Sequence, residues 1–261
     1  MVKKSSEKAR GHNNLGVAYS AQGRFEEAIK EYLTALEIEP YYPEGYNNLG
    51  RAYYNQGRLD EAIKEYMSAL GLKPDYAEVY NNLGVIYYKQ GRFEEAIKEY
   101  LTALEIKPDY AKAHNNLGAA YYSQGRFEEA IKEYLTALEL ESHLAETHAN
   151  LGIAYYNQGS VEDAIKEYIT ALGIKPDDAK AHYNLGNVYA KQGHIDKAIE
   201  EYKKALRVKS DYVDASFNLG VAYQKNGFKE KARKEFEEVL RLNPQDLEAH
   251  KALQSTESFG K

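Results

Sequence analysis

The fifteen residues GRFEEAIKEYLTALE stand unchanged at 23–37, 91–105 and 125–139, and a close variant occupies 57–71. The last two copies begin 34 residues apart and the first two begin twice that distance apart, so the chain repeats with a 34-residue period. A fixed period of that size means stacked supersecondary pieces that share apolar faces, not one globular core. Seven full repeats fit, at 9–42, 43–76, 77–110, 111–144, 145–178, 179–212 and 213–246. A tail at 1–8 precedes them, a capping helix is expected at 247–254, and a second tail at 255–261.

Within each repeat the apolar spacing predicts two helices, about 77–90 and 93–107 in the third. Phe93, Ala96, Ile97, Tyr100, Ala103 and Leu104 recur at three- and four-residue steps and form one stripe, while Glu94, Lys98 and Glu99 face away. Glu94 and Lys98 have the spacing of a supporting i,i+4 pair. Gly91 stands where a left-handed residue ends the first helix, and Pro108, lacking an N–H, stops the second. Asp75 and Glu78 have the spacing of a capping box, and Ser5 or Ser6 is placed to cap the first helix after an irregular start. Each hairpin needs its neighbours to cover its apolar faces.

These repeats resemble the tetratricopeptide repeat family. Its Leu-Gly-x-x-Tyr motif recurs from Leu15-Gly16…Tyr19 through Leu83-Gly84…Tyr87 to Leu219-Gly220…Tyr223, and its downstream Ala is Ala28, Ala62, Ala96, Ala130, Ala164, Ala198 and Ala232. The resemblance covers nearly the whole chain and implies an all-α, right-handed α-solenoid of antiparallel helix pairs. The family's Trp is replaced by His12, Tyr46, Tyr80, His114, His148, His182 and Ser216, and its later Phe by Tyr except at Phe236. Both changes keep a packing role in view. Arg233, within KEKARKEFEEVLR, gives the last full repeat a more polar outer face, as an end repeat requires.

With about 100° between residues, repeat positions 2, 5, 6, 9 and 13 fall opposite the packed side. The resemblance implies that they line the concave groove of a superhelix. Position 6 is Asn in every full repeat: Asn14, Asn48, Asn82, Asn116, Asn150, Asn184 and Asn218. Position 5 repeats it at Asn13, Asn47, Asn81 and Asn115. Asn is a mediocre helix former, so a ladder of it calls for a reason. One reason is recognition, because a carboxamide matches both hydrogen-bonding groups of a peptide unit; the groove of the repeat domain of O-linked N-acetylglucosamine transferase is similar. The other is structural, a bond across each helix junction. Tyr54, Tyr88, Tyr122 and Tyr156 at position 12 either flank the groove as contact surface or pack on the next repeat. Lys180, Lys191 and Lys225 make the last repeats' groove basic, which suits an acidic end on a ligand or reflects solvated lysines.

The net charge of −6 argues against non-specific nucleic-acid binding, which needs a basic face. There is no Cys, hence no disulfide frame or thiol nucleophile, and an intracellular, cytoplasmic address is the simpler expectation. No apolar run is long enough to span a membrane, and the start reads as polar and basic instead of a signal peptide. His12, His114, His148, His182 and His250 recur one per repeat at a packing position, so no metal and no other cofactor is expected. No nucleophile–base pair or phosphate loop stands out, and catalysis is not expected. The family's two-carboxylate clamp needs Lys at position 5 and Arg at position 6, and neither is present.

The reading that best fits is a non-catalytic protein–protein interaction scaffold that holds an extended peptide segment of a partner through the Asn ladder. Alternatives are a self-assembling module stacked head to tail, the targeting domain of a larger enzyme, or an idealised designed repeat.

Overall fold

The computed structural model describes residues 2–257. Those residues form fifteen α-helices and no strand, an all-α solenoid of consecutive helix pairs. The chain falls into two compact bodies, 1–140 and 141–261.

The first body holds α1 (Val2–Ala21), α2 (Phe25–Ile38), α3 (Pro43–Asn55), α4 (Leu59–Leu72), α5 (Ala77–Lys89), α6 (Phe93–Ile106), α7 (Ala111–Ser123) and α8 (Phe127–Leu140). The second holds α9 (Ala145–Gln158), α10 (Val161–Ile174), α11 (Ala179–Lys191), α12 (Ile195–Val208), α13 (Val213–Lys225), α14 (Lys229–Leu242) and α15 (Leu247–Glu257). In each body a helix packs on its hairpin partner and on the next hairpin, and the first helices of successive hairpins touch.

The repeated motif accounts for this packing. Gly91 has φ of 75°, and the amide of Arg92 donates to the carbonyl of Tyr87 at 2.9 Å, closing α5 and turning the chain into α6. Arg92 then bonds Glu95 and covers the Tyr87 ring at 4.4 Å, an arrangement that recurs with Arg24, Arg58 and Arg126. Farther along, α5 crosses α6 so closely that a Cβ on Gly84 would sit 2.5 Å from Cε1 of Tyr100. The missing side chain lets the Tyr100 ring lie flat in the core, with Ala96, Ile97 and Ala103 around it.

Four local expectations are corrected. The helix α1 begins at Val2, so Ser5 and Ser6 lie inside it and the irregular tail at 1–8 is absent among the described residues; Ser, Glu and Lys all tolerate a helix there. The residue preceding α5 is Tyr76, with no side-chain cap, so Asp75 stands one residue too early to form the capping box. Where Asp falls one place later it does cap: Asp178 accepts from the amides of Lys180 and Ala181 at 3.1 and 3.0 Å. Glu99 is half-buried instead of facing away, and Glu94 accepts from Gln124 at 2.8 Å instead of pairing with Lys98. Finally, α15 runs on to Glu257, past the expected end at 254, while the rest of the expected tail, 258–261, lies outside the described residues.

Candidate functional site

The Asn ladder runs along the first helices. In the first body, Nδ2 of Asn48 donates to Oδ1 of Asn13 at 2.9 Å, Asn82 to Asn47 at 3.0 Å, and Asn116 to Asn81 at 2.9 Å. Position 6 of one repeat thus ties to position 5 of the repeat before it, the structural role weighed above. Asn47 and Asn81 are 8% and 0% exposed, which corrects their assignment to a ligand-facing set. Position 5 lies at the edge of the groove-side arc, where the first helix of the following repeat covers it. Asn115 is half-buried and engaged.

The position-6 residues are not exhausted by these bonds. Asn48, Asn82 and Asn116 are half-buried, and each spends one N–H; the second N–H and the carbonyl oxygen have no partner among the described residues. Asn14 is exposed and Asn184 half-buried, neither with a side-chain partner among the described residues, while Asn150 is engaged. Asn218 donates to Oδ1 of Asn187 at 2.9 Å and to the Tyr183 hydroxyl at 3.2 Å.

The four position-12 rings are all half-buried, and three of them, Tyr54, Tyr88 and Tyr156, meet the next repeat. Tyr88 shares a hydrogen bond with Ser123 at 3.0 Å, the Lys89 ammonium lies 5.1 Å from the Tyr54 ring centre, and Lys191 lies 4.6 Å from that of Tyr156. Tyr122 packs on Phe127 at 5.5 Å. Two small cavities open between first helices beside the ladder. One, of about 190 Å³, is bordered by Val17, Asn48 and Arg51 in the first body; the other, of about 240 Å³, by Asn187, Lys191, Asn218 and Lys225 in the second.

Sequence reasoning missed a second set of residues. His12, His114, His148 and His182 place Nδ1 within 2.6–2.7 Å of Oε2 of Glu31, Glu133, Glu167 and Glu201, each 19 residues on. The pair joins the two helices of one hairpin, and a His-to-Glu spacing of 19 was the available signal. In the second body His182, Glu201 and Lys204 border a cleft of about 880 Å³ among α10, α11 and α12, floored by Leu172 and Leu185. Its polar groups are largely paired internally, Lys204 with Glu201 at 2.6 Å and His182 with the Pro176 carbonyl at 3.0 Å.

Helical hairpins stacked through small residues and bonded junction to junction define a solenoid built for surface contact. Residues 16–57, 50–91, 86–125, 119–159, 154–193 and 187–227 match the family described as TPR repeat, and 213–246 match the tetratricopeptide repeat. The chain belongs to the tetratricopeptide repeat family, whose repeats serve as protein-interaction scaffolds.

No curated protein matches it by sequence. Among solved structures, a chain of the APC/C hetero-tetramer Cut9–Hcn1 superposes with a TM-score of 0.74 at 17% identity, over 89% of this chain and 48% of that one. The protein therefore spans just under half the length of that relative. Pseudomonas aeruginosa pilF gives 0.73 at 21% identity, over 87% of this chain and 99% of that one. YrrB, described as a TPR protein with an unusual peptide-binding site, gives 0.60 at 22% identity, over 72% and 97%. At these identities the likeness is one of fold. No helix of the described residues is long and apolar enough to cross a membrane.

Proposed function

We propose that the protein is a non-catalytic, cytoplasmic scaffold that binds an extended segment of a protein partner along the face carrying the position-6 asparagines. One observation carries this reading. Asn48, Asn82 and Asn116 are each fixed by a bond to the preceding repeat and keep an N–H and a carbonyl oxygen without a partner among the described residues. A carboxamide held in that way is pre-ordered, so a peptide backbone gains two hydrogen bonds without the cost of freezing the side chain. The half-buried rings of Tyr54, Tyr88, Tyr122 and Tyr156 and the exposed Val17 supply apolar contact beside the ladder. The peptide-binding site named for YrrB agrees with this use of the fold.

The test is capture of partners from host lysate by the full chain and by two variants whose helicity is checked by circular dichroism. One carries Asn82→Ala and Asn116→Ala. The other carries Val17→Glu and Asn184→Ala, which remove no hydrogen bond seen within the described residues. Loss of the same partners by both folded variants is expected, and retention of those partners by both overturns the reading.

A second reading, head-to-tail self-association, is favoured by Leu15. That side chain is 42% exposed, whereas its counterpart Leu83 is 2% exposed beneath a neighbouring repeat. An open face of this kind invites a heterologous contact between copies. A molecular mass that rises with concentration, and no longer does so in Leu15→Lys, is the expected result.

A further inference from the structure

The 880 Å³ cleft of the second body lies on the far side of α11 from the ladder. His182 and Leu185 border it at repeat positions 4 and 7, on the packed side of the helix, away from position 6. Both α10 and α12 pack on α11 but not on each other among the described residues, so the cleft is a trough with a helix on either side. Leu172 and Leu185 form its floor, and the exposed side chains of Ile169 on α10 and Val208 on α12 stand at its edges.

Two departures from the repeat meet in this trough. Position 29 is Glu37, Glu105 and Glu139 in other repeats, but it is Gly173 in α10 and Arg207 in α12. Glycine is a poorer helix former than Glu or Arg, and the fold does not call for it at 173. A Cβ there would meet nothing within 4 Å, and the residue has no positive φ. What the glycine does is leave one wall of the trough without a side chain.

The second departure concerns charge. Arg241, one repeat after Arg207, pairs with Glu238 at 2.6 Å. Lys204 stands where Glu238 would be, and Arg207 has no ion pair among the described residues. The carboxylates of the cleft do not supply one. Glu201 is held by His182 and by Lys204, and Asp177, at a position where Asp75, Asp109 and Asp211 recur, does not pair with Arg207. A trough between two helices, with an apolar floor and a guanidinium that lacks a carboxylate, matches a helix that presents bulky apolar side chains beside an acidic one.

We infer that this cleft docks an amphipathic helix of a protein partner, with Leu or Phe side chains lying over Leu172 and Leu185 in the space beside Gly173 and an Asp or Glu paired with Arg207. The volume accepts several side chains at once, which favours a helix over a small acid. The site goes beyond the ladder reading and does not depend on it, because no ladder residue borders the cleft.

The chain contains no Trp, so a peptide carrying one reports binding to the full chain by its own fluorescence. Three acetylated and amidated helical peptides are compared: one with a Leu stripe flanked by Glu, one with those Glu replaced by Lys, and one with the Leu replaced by Gln. The acidic amphipathic peptide is expected to bind, and the other two to bind at least about tenfold more weakly. Gly173→Glu restores the side chain that other repeats carry and is expected to weaken the acidic peptide by at least about tenfold, as is Arg207→Gln. Gly71→Glu, the same change at the same position of the second repeat, is expected to leave binding unchanged. Circular dichroism checks that each variant keeps its helicity.

Equal binding by Gly173→Glu, equal binding of the basic peptide, or no binding of the acidic peptide overturns the inference. Anilinonaphthalene sulfonate, an apolar anion, tests the other occupant. If it binds in a way that Gly173→Glu abolishes while no peptide binds, the cleft takes a small amphipathic acid and the docked helix is ruled out.

Discussion

Nδ1 of His114 lies 2.6 Å from Oε2 of Glu133, while its Nε2 lies 3.0 Å from the carbonyl oxygen of Pro108. A carboxylate and a carbonyl only accept, so both bonds form together when both ring nitrogens carry protons. The hydrogen bond to Glu133 accordingly raises the His114 pKa above its ordinary 6.5, against the opposing effect of burial. A group whose folded pKa is raised adds stability that is fully present below the unfolded value and is lost as pH rises through the folded one. The stability gap between the parent and His114→Gln is therefore expected to be large at pH 5.5 and smaller at pH 8.5, measured by urea unfolding. A gap that is constant across that range contradicts the doubly protonated ring.

The third repeat holds Tyr80 where the fourth holds His114, and Glu99 occupies the place of Glu133. Without an imidazole partner, burial, helped by the nearby charge of Glu95, raises the Glu99 pKa; burial is likewise the main cause at Glu65 and Glu235. Their ionised forms are therefore a burden at neutral pH. The same substitution is expected to act with opposite sign at the two sites: Glu99→Gln raises the thermal midpoint at pH 7, and Glu133→Gln lowers it by leaving His114 without its acceptor. Matching signs at the two sites would contradict this account.

How much of this is legible in the sequence depends on whether a signal lies inside one helix or between two. Gly91 and Pro108 mark helix ends through backbone restrictions of their own, and α5 and α6 end within a residue of where the sequence placed them. Asn47 and Asn81 were assigned to the ligand face by a wheel drawn for a single helix, but the cover over position 5 comes from the next repeat. The His–Glu pairs escaped a single-helix reading for the same reason, since 19 residues separate the partners and only the recurrence of that spacing from repeat to repeat joins them. At the N-terminus the misreading was local, because Ser5 is an acceptable helix residue as well as a cap.

Leu15 and Leu83 test the stacking directly, since they share a repeat position and differ in cover. Leu83→Ala is expected to cost about 2–4 kcal/mol, the transfer and cavity terms together, because the side chain is 2% exposed. Leu15→Ala is expected to cost under about 1 kcal/mol, because the side chain is 42% exposed. Urea unfolding at a protein concentration low enough to suppress association reads both. Equal costs would contradict the difference in cover between the two sites.

Gly11 and Gly84 both lie inside helices, and the space around them predicts opposite responses to a methyl group. A Cβ on Gly11 meets nothing within 4 Å, so Gly11→Ala is expected to stabilise by about 0.5–1 kcal/mol through helix propensity and the loss of unfolded-chain freedom. A Cβ on Gly84 would meet Cε1, Cδ1 and Cζ of Tyr100 at 2.5, 2.7 and 2.9 Å. Tyr100 is buried against α5 and has no room to retreat, so the two helices must separate. Gly84→Ala is therefore expected to cost about 1–3 kcal/mol, as overpacked cores do. Thermal unfolding of both variants beside Gly84→Ala with Tyr100→Leu decides the cause: the smaller partner restores part of the loss if the ring is the obstacle, and restores none if the backbone itself requires glycine.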